Sequence, residues 1–153
     1  AVTEKALKNI KTMGVATSPC IVPEVGKPTF SIEDDKIEIG MGIHGEPGIE
    51  VRDMMTADEI AELTLSTLAE GDEVSVLVNG LGATPLEELL IVYRKIHMML
   101  QEKGVKVIMP HVGEYATSME MSGLSLTVFK LDEELKELLA SPAASPFYTN
   151  LNK

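Results

Sequence analysis

Apolar residues follow two different periods along this chain, and each period predicts a different element. One apolar set recurs at the helical spacing of i, i+3 and i+4: Leu86, Leu89, Leu90, Tyr93, Ile96 and Leu100. The segment Thr84-Pro85-Leu86-Glu87 before this set has the pattern of a capping box with proline at the first helical position. Gly104 supplies a stop signal after it. The sequence therefore predicts a long helix that begins after Thr84 and ends before Gly104.

Three further helices are predicted from similar signals. Thr56-Ala57-Asp58-Glu59 is a second capping box. The helix that it opens places Ala61, Leu65 and Leu68 on one face and ends at Gly71. Shorter helices are predicted at about residues 3–12 and from Asp132 to about Leu139.

Strand signals lie between the helices. The segments 73–80 (EVSVLVNG) and 104–110 (GVKVIMP) are short, rich in valine and closed by glycine or proline, which is typical of buried strands. In the segment 122–131, leucine and valine alternate with Ser125 and Thr127. Because successive strand residues point to opposite faces, this alternation predicts a strand with one more polar face.

The order of elements predicts the fold class. Residues 29–40 (TFSIEDDKIEIG) have the pattern of a hairpin that turns at Asp34-Asp35, with Phe30 and Ile32 in one strand and Ile37 and Ile39 in the other. The whole order is helix, several strands, helix, strand, helix, strand, strand, helix, which is not a regular βαβ alternation. We therefore predict an α+β fold: a two-layer sandwich with a mixed β-sheet and helices mainly on one face. One domain is predicted over 1–140, followed by a tail, 141–153, that wraps the surface or frays.

Composition narrows the class of partner. The 153 residues contain 13 Lys and Arg against 24 Asp and Glu, a formal charge of −11. This charge argues against a nucleic acid or an anionic membrane as the main partner and favours a small neutral molecule or a more basic protein. The apolar runs are far shorter than the roughly 20 residues of a membrane helix, and the start lacks the apolar block of a secretory signal, so we expect a cytoplasmic protein. Cys20 has no second cysteine to pair with, and we expect it to be a small buried hydrophobe.

The segment 40–48, Gly-Met-Gly-Ile-His-Gly-Glu-Pro-Gly, carries the candidate chemistry. Four glycines and a proline in nine residues prevent regular structure and allow a ligand to approach the backbone. No phosphate-binding GK[ST] follows, and no metal site is predicted because His97 and His111 have no useful spacing to His44. The local pattern leaves two interpretations open: a structural turn with a solvated imidazole, or a binding loop centred on His44.

Four blocks of sequence together resemble one known family. Residues 40–48 are similar to the signature of the substrate-binding subunit of dihydroxyacetone (glycerone) kinases. Three further segments resemble other blocks of the family. They are Ser18–Pro23 together with Gly26–Pro28, then Val78–Leu89, and then Gly113–Met119. The four blocks occur in the family's order and cover nearly the whole chain. The resemblance implies the second domain of that subunit, with an upstream domain that carries the remaining walls of the site, a catalytic carboxylate and a second histidine.

The resemblance also implies roles for individual residues. His44 would hold the substrate covalently as a hemiaminal, and an imidazole with a free pKa near 6.5 is largely an unprotonated nucleophile at neutral pH. Gly42 and Gly45 would clear space around the ring and offer backbone donors to the substrate. Glu46 would either orient the imidazole or point elsewhere. The turn from Asn79 to Thr84 would be either an anion-binding place or a capped turn.

The same resemblance implies partners. The chain itself would bind no cofactor, and the phosphoryl donor would be ATP or an ADP-bearing subunit of a phosphotransferase system. Dihydroxyacetone, the upstream domain and a nucleotide-binding kinase subunit would be its partners, in a homodimer that serves glycerol metabolism. The chain alone would be inactive. The alternative is a non-catalytic regulatory relative that senses dihydroxyacetone through His44, and a purely structural pairing module is a third, less favoured, possibility.

Overall fold

The computed structural model describes residues 1–28, 30–43, 46–68 and 71–151. Within them the helices are α1 (Val2–Asn9), α2 (Ala57–Leu68), α3 (Leu86–Glu102) and α4 (Glu133–Ala140). The longer strands are β1 (Ile10–Ala16), β2 (Lys36–Ile39), β3 (Glu50–Asp53), β4 (Glu73–Gly80) and β7 (Gly123–Lys130). The short strands are β5 (Lys106–Val107), β6 (His111–Gly113), β8 (Ala143–Ala144) and β9 (Thr149–Asn150).

The main sheet is mixed, as the order of elements predicts. Among the described residues its strand order is β3-β2-β1-β7-β4-β5, and β6 also pairs with β4. Strands β5 and β6 run parallel to β4, whereas the pairs β1–β2, β1–β7, β2–β3 and β4–β7 are antiparallel. Strand β7 makes the longest pairings of the sheet, with β1 on one side and β4 on the other. The middle of the sheet is therefore built from segments that are far apart in sequence.

The two faces of the sheet differ as the alternation in β7 predicts. One face carries Val74, Val76 and Val78 from β4, and the apolar sides of α2 and α3 pack against it. The other face is polar at its centre, where the hydroxyls of Thr12 and Thr127 are hydrogen-bonded at 2.8 Å. The α+β prediction, with a mixed sheet and helices on one face, is confirmed.

Local end signals determine where two of the helices begin. The capping box before α2 forms as predicted: the amide of Thr56 donates to Glu59 Oε2 at 2.7 Å, and the amide of Glu59 donates to Thr56 Oγ1 at 3.3 Å. Asp132 caps α4 by accepting a hydrogen bond from the Leu135 amide at 2.9 Å. These contacts satisfy amide groups that the first turn of a helix leaves without an intrahelical partner.

The predicted hairpin at 29–40 is wrong, and the first helix is shorter than predicted. Strand β2 pairs with β1 and β3, whereas Phe30 and Ile32 belong to no strand and pack against a small apolar cluster described below. The first helix ends at Asn9, because Ile10 begins β1 and pairs opposite Phe129 of β7. In both places long-range pairing overrides the local pattern.

The predicted threonine cap of α3 is also wrong. Pro85 occupies the N-cap position, and no side chain caps the helix. The hydroxyl of Thr84 instead accepts a hydrogen bond from the amide of Gly123 and donates one to its carbonyl, each at 2.8 Å. Thr84 therefore ties the start of α3 to the start of β7 and does not satisfy the helix end.

The C-terminal segment folds back on itself. Strands β8 and β9 pair antiparallel, and the amide of the Asn150 side chain donates to the carbonyls of Leu139 and Ser141. The hydroxyl of Tyr148 is hydrogen-bonded to Nε2 of His111 at 2.9 Å. The segment is thus attached to α4 and to β6.

Candidate functional site

The glycine-rich segment 40–48 is the loop that joins β2 to β3. Backbone hydrogen bonds close its two ends: the amide of Ile49 donates to the carbonyl of Ile39, and that of Gly40 donates to the carbonyl of Gly14, each at 2.7 Å. Gly40 has φ +80°, a conformation that favours glycine. His44 and Gly45 lie outside the described residues, so their predicted roles stay predictions.

The residues on either side of the loop's tip contact each other closely. The amide of Gly42 donates to the carbonyl of Glu46 at 3.3 Å. A Cβ atom at position 42 would overlap the Glu46 carboxylate in its present position, so a larger residue there would displace this side chain. The Gly42 amide is therefore engaged within the loop, and the Glu46 carboxylate lies over the backbone of residue 42.

Two other glycines allow the loop to lie against the sheet. The amide of Gly48 donates to Oε1 of Glu38, in β2, at 2.6 Å. A Cβ atom at position 48 would lie 2.5 Å from Cγ of Glu38. A Cβ atom at Gly14, in β1, would overlap the carbonyl oxygen of Met41. Close backbone approach, which glycine permits, thus presses the loop onto β1 and β2.

A small apolar cluster lies beneath the loop; we call it the loop cluster. Its buried members are Ala16, Cys20, Met41, Leu81 and Met121. Val22, Phe30, Ile32 and Ile43 pack against them. The cluster thus joins the residues around the loop to the ends of β1 and β4. The prediction that Cys20 is a small buried hydrophobe is confirmed.

Ser118 connects the loop to the far side of this cluster. Its hydroxyl donates to the carbonyl of Ile43 at 2.8 Å, and its amide donates to the carbonyl of Leu81 at 2.7 Å. The sequence shows Ser118 only as part of the block Gly113–Met119, and no local pattern predicts that it reaches residue 43. Only that block's resemblance to the kinase family distinguishes the segment from an ordinary loop.

The turn from Asn79 to Thr84 does not offer its polar side chains to a ligand. The Asn79 side chain is buried, and its Oδ1 accepts hydrogen bonds from the amides of Tyr115 and Ala116, both at 2.8 Å. Its Nδ2 donates to the carbonyl of Ala116 at 2.7 Å. The hydroxyl of Thr84 is hydrogen-bonded to both the amide and the carbonyl of Gly123. Both side chains therefore stabilise neighbouring segments.

The histidines other than His44 lie in separate environments. His97 is exposed on α3, where its Nδ1 lies 3.4 Å from the hydroxyl of Tyr93. His111 lies in β6 and bonds to Tyr148. Within the ranges that the structure describes, no three His, Cys, Asp or Glu side chains converge in a way that could hold a metal ion.

A groove of about 310 Å³ opens on the helix-covered face of the sheet. Its walls include Ile60 of α2, Val92 of α3 and Leu124 of β7, and no described residue of the glycine loop lines it. A search of the described helices finds none that combines the length and apolar character needed to cross a membrane.

Comparison with known proteins gives consistent matches over most of the chain. The Dak1 domain family matches residues 1–147. The chain is 49% identical over 140 residues to the dihydroxyacetone-binding subunit DhaK of PTS-dependent dihydroxyacetone kinase 1 of Listeria innocua, covering 88% of this chain and 43% of that protein. It is 44% identical over 151 residues to the corresponding subunit of kinase 2 of the same organism, covering 95% and 46%.

A solved structure matches as well. The dihydroxyacetone kinase operon co-activator Dha-DhaQ superposes with a TM-score of 0.78 at 32% identity, over 92% of this chain and 47% of that one. The chain thus spans less than half the length of the relatives that it matches. Because the family match covers residues 1–147 and the fold agrees with that of a solved relative, the chain belongs to the Dak1 domain family.

Proposed function

We propose that this chain is the substrate-binding domain of a dihydroxyacetone kinase and that His44 holds dihydroxyacetone covalently. The observation that carries the proposal is the loop 40–48, whose sequence resembles the kinase signature and whose described residues are closely anchored to β1 and β2. Two relatives that are 44% and 49% identical to it, over 151 and 140 aligned residues, are named as dihydroxyacetone-binding subunits.

The proposed bond is a hemiaminal. The lone pair of one imidazole nitrogen adds to the carbonyl carbon of dihydroxyacetone, and the C=O π electrons move to the oxygen. That oxygen takes up a proton, and the second imidazole nitrogen gives up its own. The bonded nitrogen has no further hydrogen, so water cannot leave as it does when a lysine adduct becomes an imine. The adduct therefore forms reversibly, and a neutral imidazole supplies the nucleophile at neutral pH.

This chemistry selects for a carbonyl compound. Glycerol has similar hydroxyl groups but no carbonyl carbon to attack, so it would bind only through hydrogen bonds. Holding the ketone at one carbon also positions a terminal hydroxyl for phosphoryl transfer, a reaction in which positioning and charge stabilisation account for most of the catalysis. In this proposal Gly45 leaves room around the ring for the substrate, whereas the space beside Gly42 is taken by the Glu46 carboxylate.

The phosphoryl group would come from a separate subunit. In this proposal a nucleotide-binding or phosphotransferase-linked subunit carries ATP or ADP, and an upstream domain completes the substrate site. A homodimer is proposed from the resemblance. The relatives extend well beyond the region that this chain covers, which leaves room for such a domain in them.

A second candidate function is regulation. The solved relative with a TM-score of 0.78 is named as a co-activator of a dihydroxyacetone kinase operon. A sensor of that kind would use the same adduct at His44 without transferring phosphate. Both functions require capture of dihydroxyacetone at His44, and only the kinase transfers a phosphoryl group to it.

Carbonyl-carbon NMR tests substrate capture directly. Dihydroxyacetone labelled with ¹³C at the carbonyl is added to the 153-residue chain alone, and to the chain mixed with the remaining portion of the Listeria innocua kinase 1 subunit as a separate polypeptide. We expect the carbonyl signal to convert to that of a tetrahedral carbon in the mixture, and His44→Ala to abolish the conversion. His97→Ala is the matched control, because His97 is exposed on α3.

The outcomes separate the candidates. A bound ligand whose carbonyl carbon stays trigonal contradicts the covalent proposal. If capture occurs, addition of each kind of donor in turn, a kinase partner with ATP and a phosphotransferase-linked subunit with its phosphoryl source, decides between enzyme and sensor: formation of dihydroxyacetone phosphate on the order of 1 s⁻¹ or faster with either donor supports the kinase. Capture without phosphate transfer supports the sensor.

A further inference from the structure

Ser118 is held rigidly in a buried position beside the candidate site. Its amide donates to Leu81, and its carbonyl accepts from the amide of Met121 at 3.1 Å. Only 9% of the residue is exposed. Both of its backbone polar groups are thus engaged, and its hydroxyl donates to the carbonyl of Ile43 at 2.8 Å.

The buried side chain of Asn79 holds the turn that leads to Ser118. Three hydrogen bonds join the Asn79 amide to the backbone of Tyr115 and Ala116. Thr117 adds a fourth link, since its hydroxyl donates to the carbonyl of Leu81 at 3.1 Å. A continuous set of contacts therefore runs from the end of β4, through the turn 115–118, to the carbonyl of residue 43.

The carbonyl of Ile43 belongs to the peptide unit that contains the nitrogen of His44. A peptide unit is planar, so a hydrogen bond that fixes the carbonyl restrains the whole plane. Glycine has little intrinsic preference for one φ and ψ, so the glycines of this sequence do not by themselves select one orientation of the peptide. Apolar packing of Ile43 against the loop cluster is not directional. The hydrogen bond from Ser118 is a directional contact to this carbonyl from outside the loop.

From these contacts we infer that Ser118 is a positioning residue for His44: it orients the peptide between residues 43 and 44 so that the imidazole meets the substrate carbonyl. This inference rests on the function proposed above. Asn79 supports Ser118 from β4 and has no direct role at the loop. Misplacement of a reacting group by about 1 Å can reduce its reactivity on the order of a hundredfold, so the loss of one hydrogen bond here has a measurable consequence.

Ser118→Ala is the sharpest variant for a test. It removes one oxygen atom and adds none, so it cannot clash with its neighbours. One hydrogen bond is a small part of the stability of a domain, and the variant is expected to fold. Substitution of Asn79 is less informative, because it removes three contacts from a buried side chain and disturbs the fold together with the site. Ser118→Thr keeps the hydroxyl, and Ser66→Ala on the exposed side of α2 is the matched control.

The test uses the same assembled protein as the carbonyl-carbon experiment. We expect Ser118→Ala to lower the equilibrium constant for the adduct about tenfold or more, with an unfolding midpoint within a few degrees of the original. Ser118→Thr is expected to restore most of the adduct, and Ser66→Ala to change nothing. The backbone amide signal of His44 in ¹⁵N spectra should move in the alanine variant and return in the threonine variant.

Each result decides one question. An unchanged adduct constant and an unmoved His44 amide in Ser118→Ala overturn the inference. An adduct loss explained by an equally large loss of folded protein also overturns it, because Ser118 would then act only on stability. If the original protein forms no adduct, the proposed function fails, and the His44 amide signal still decides whether Ser118 orients this peptide.

Discussion

Two apolar clusters of this domain differ in how they are built. The main core lies between the sheet and helices α2 and α3, and its members recur with strand or helix periods, as Val76, Leu89 and Ile96 do. The loop cluster is assembled from strand ends and irregular segments, between Ala16 and Met121 in the sequence. The first cluster joins regular elements, whereas the second joins the segments around the candidate site.

The difference shows how the domain divides its tasks. The main core buries many apolar side chains and can supply most of the stability. The loop cluster has few buried members, so it cannot orient a loop by burial alone. Directional hydrogen bonds, such as those of Thr84 with Gly123 and of Ser118 with Ile43, supplement it. The candidate site therefore depends on individual polar contacts in a way that the main core does not.

The largest expected effect comes from the main core. Leu89 is 1% exposed and its neighbour Leu90 is 48% exposed on the same helix. We expect Leu89→Ala to lower the free energy of unfolding by about 2–5 kcal/mol, because it removes buried methyl groups and leaves a cavity. Leu90→Ala, the control, should change it by about 0.5 kcal/mol or less. Urea unfolding measures both, and equal effects would contradict the assignment of Leu89 to the core.

Substitution in the loop cluster should lower the free energy of unfolding less than substitution in the main core, and should reduce capture of dihydroxyacetone more. Met121 is fully buried, and its amide and carbonyl bonds to Ser118 and Ala83 do not need its side chain. We expect Met121→Ala to lower the free energy of unfolding by about 2 kcal/mol, since the surrounding loops can partly collapse. Capture of dihydroxyacetone should fall more strongly than in Leu89→Ala.

Two control variants isolate this effect. Met121→Leu keeps the volume and should cost less than about 1.5 kcal/mol. Met98→Ala, on the exposed side of α3, should affect neither measurement. If Leu89→Ala and Met121→Ala reduce capture equally at matched stability, the proposed division between the two clusters is wrong.

A smaller effect is expected at Thr84, which ties the start of α3 to the start of β7. Thr84→Ala leaves the amide of Gly123 without its partner and should lower the free energy of unfolding by about 1 kcal/mol. Hydrogen exchange should become faster at the Gly123 amide and stay unchanged at the Glu87 amide in the first turn of α3. Thr84→Ser keeps the hydroxyl and should behave like the original protein. Faster exchange at Glu87 alone would instead support a helix cap.

The smallest effect is expected at Glu73, at the other end of β4 from the loop. Hydrogen bonds from Lys136 at 2.6 Å and Lys106 at 3.1 Å hold the pKa of the Glu73 carboxyl below its usual value of 4.5. A lowered pKa in the folded state gives stability that is present above 4.5 and is lost as pH falls through the folded value. Urea midpoints of the original protein and of Glu73→Gln should therefore differ near neutral pH and converge in acid.

Substrate capture is the control for this variant. Because Glu73 lies away from the loop cluster, Glu73→Gln should leave capture of dihydroxyacetone at neutral pH unchanged. A midpoint difference that grows as the pH falls would reverse the expected sign and contradict the assigned ion pairs.

Local sequence patterns predict the elements that make up the main core. The spacing from Leu86 to Leu100 predicts α3, and the alternation of Leu124, Leu126 and Val128 with polar residues predicts both β7 and its two faces. These predictions succeed because burial on one face of a regular element repeats at a fixed interval, which is visible within a few turns or residues. The glycine loop has no such period and was identified from its local composition, which is also visible within a few residues.

Which segments meet depends on long-range packing, which no local pattern shows. The partners of β2 are β1 and β3, the hydroxyl of Thr84 bonds to β7, and Ser118 reaches Ile43 across 75 positions of sequence. A hydroxyl can satisfy its hydrogen bond locally or at long range, and the local pattern has the same appearance in both cases. Which partner it finds depends on the packing of the sheet. The polar contacts around the candidate site therefore follow from the fold and have no periodic signal of their own.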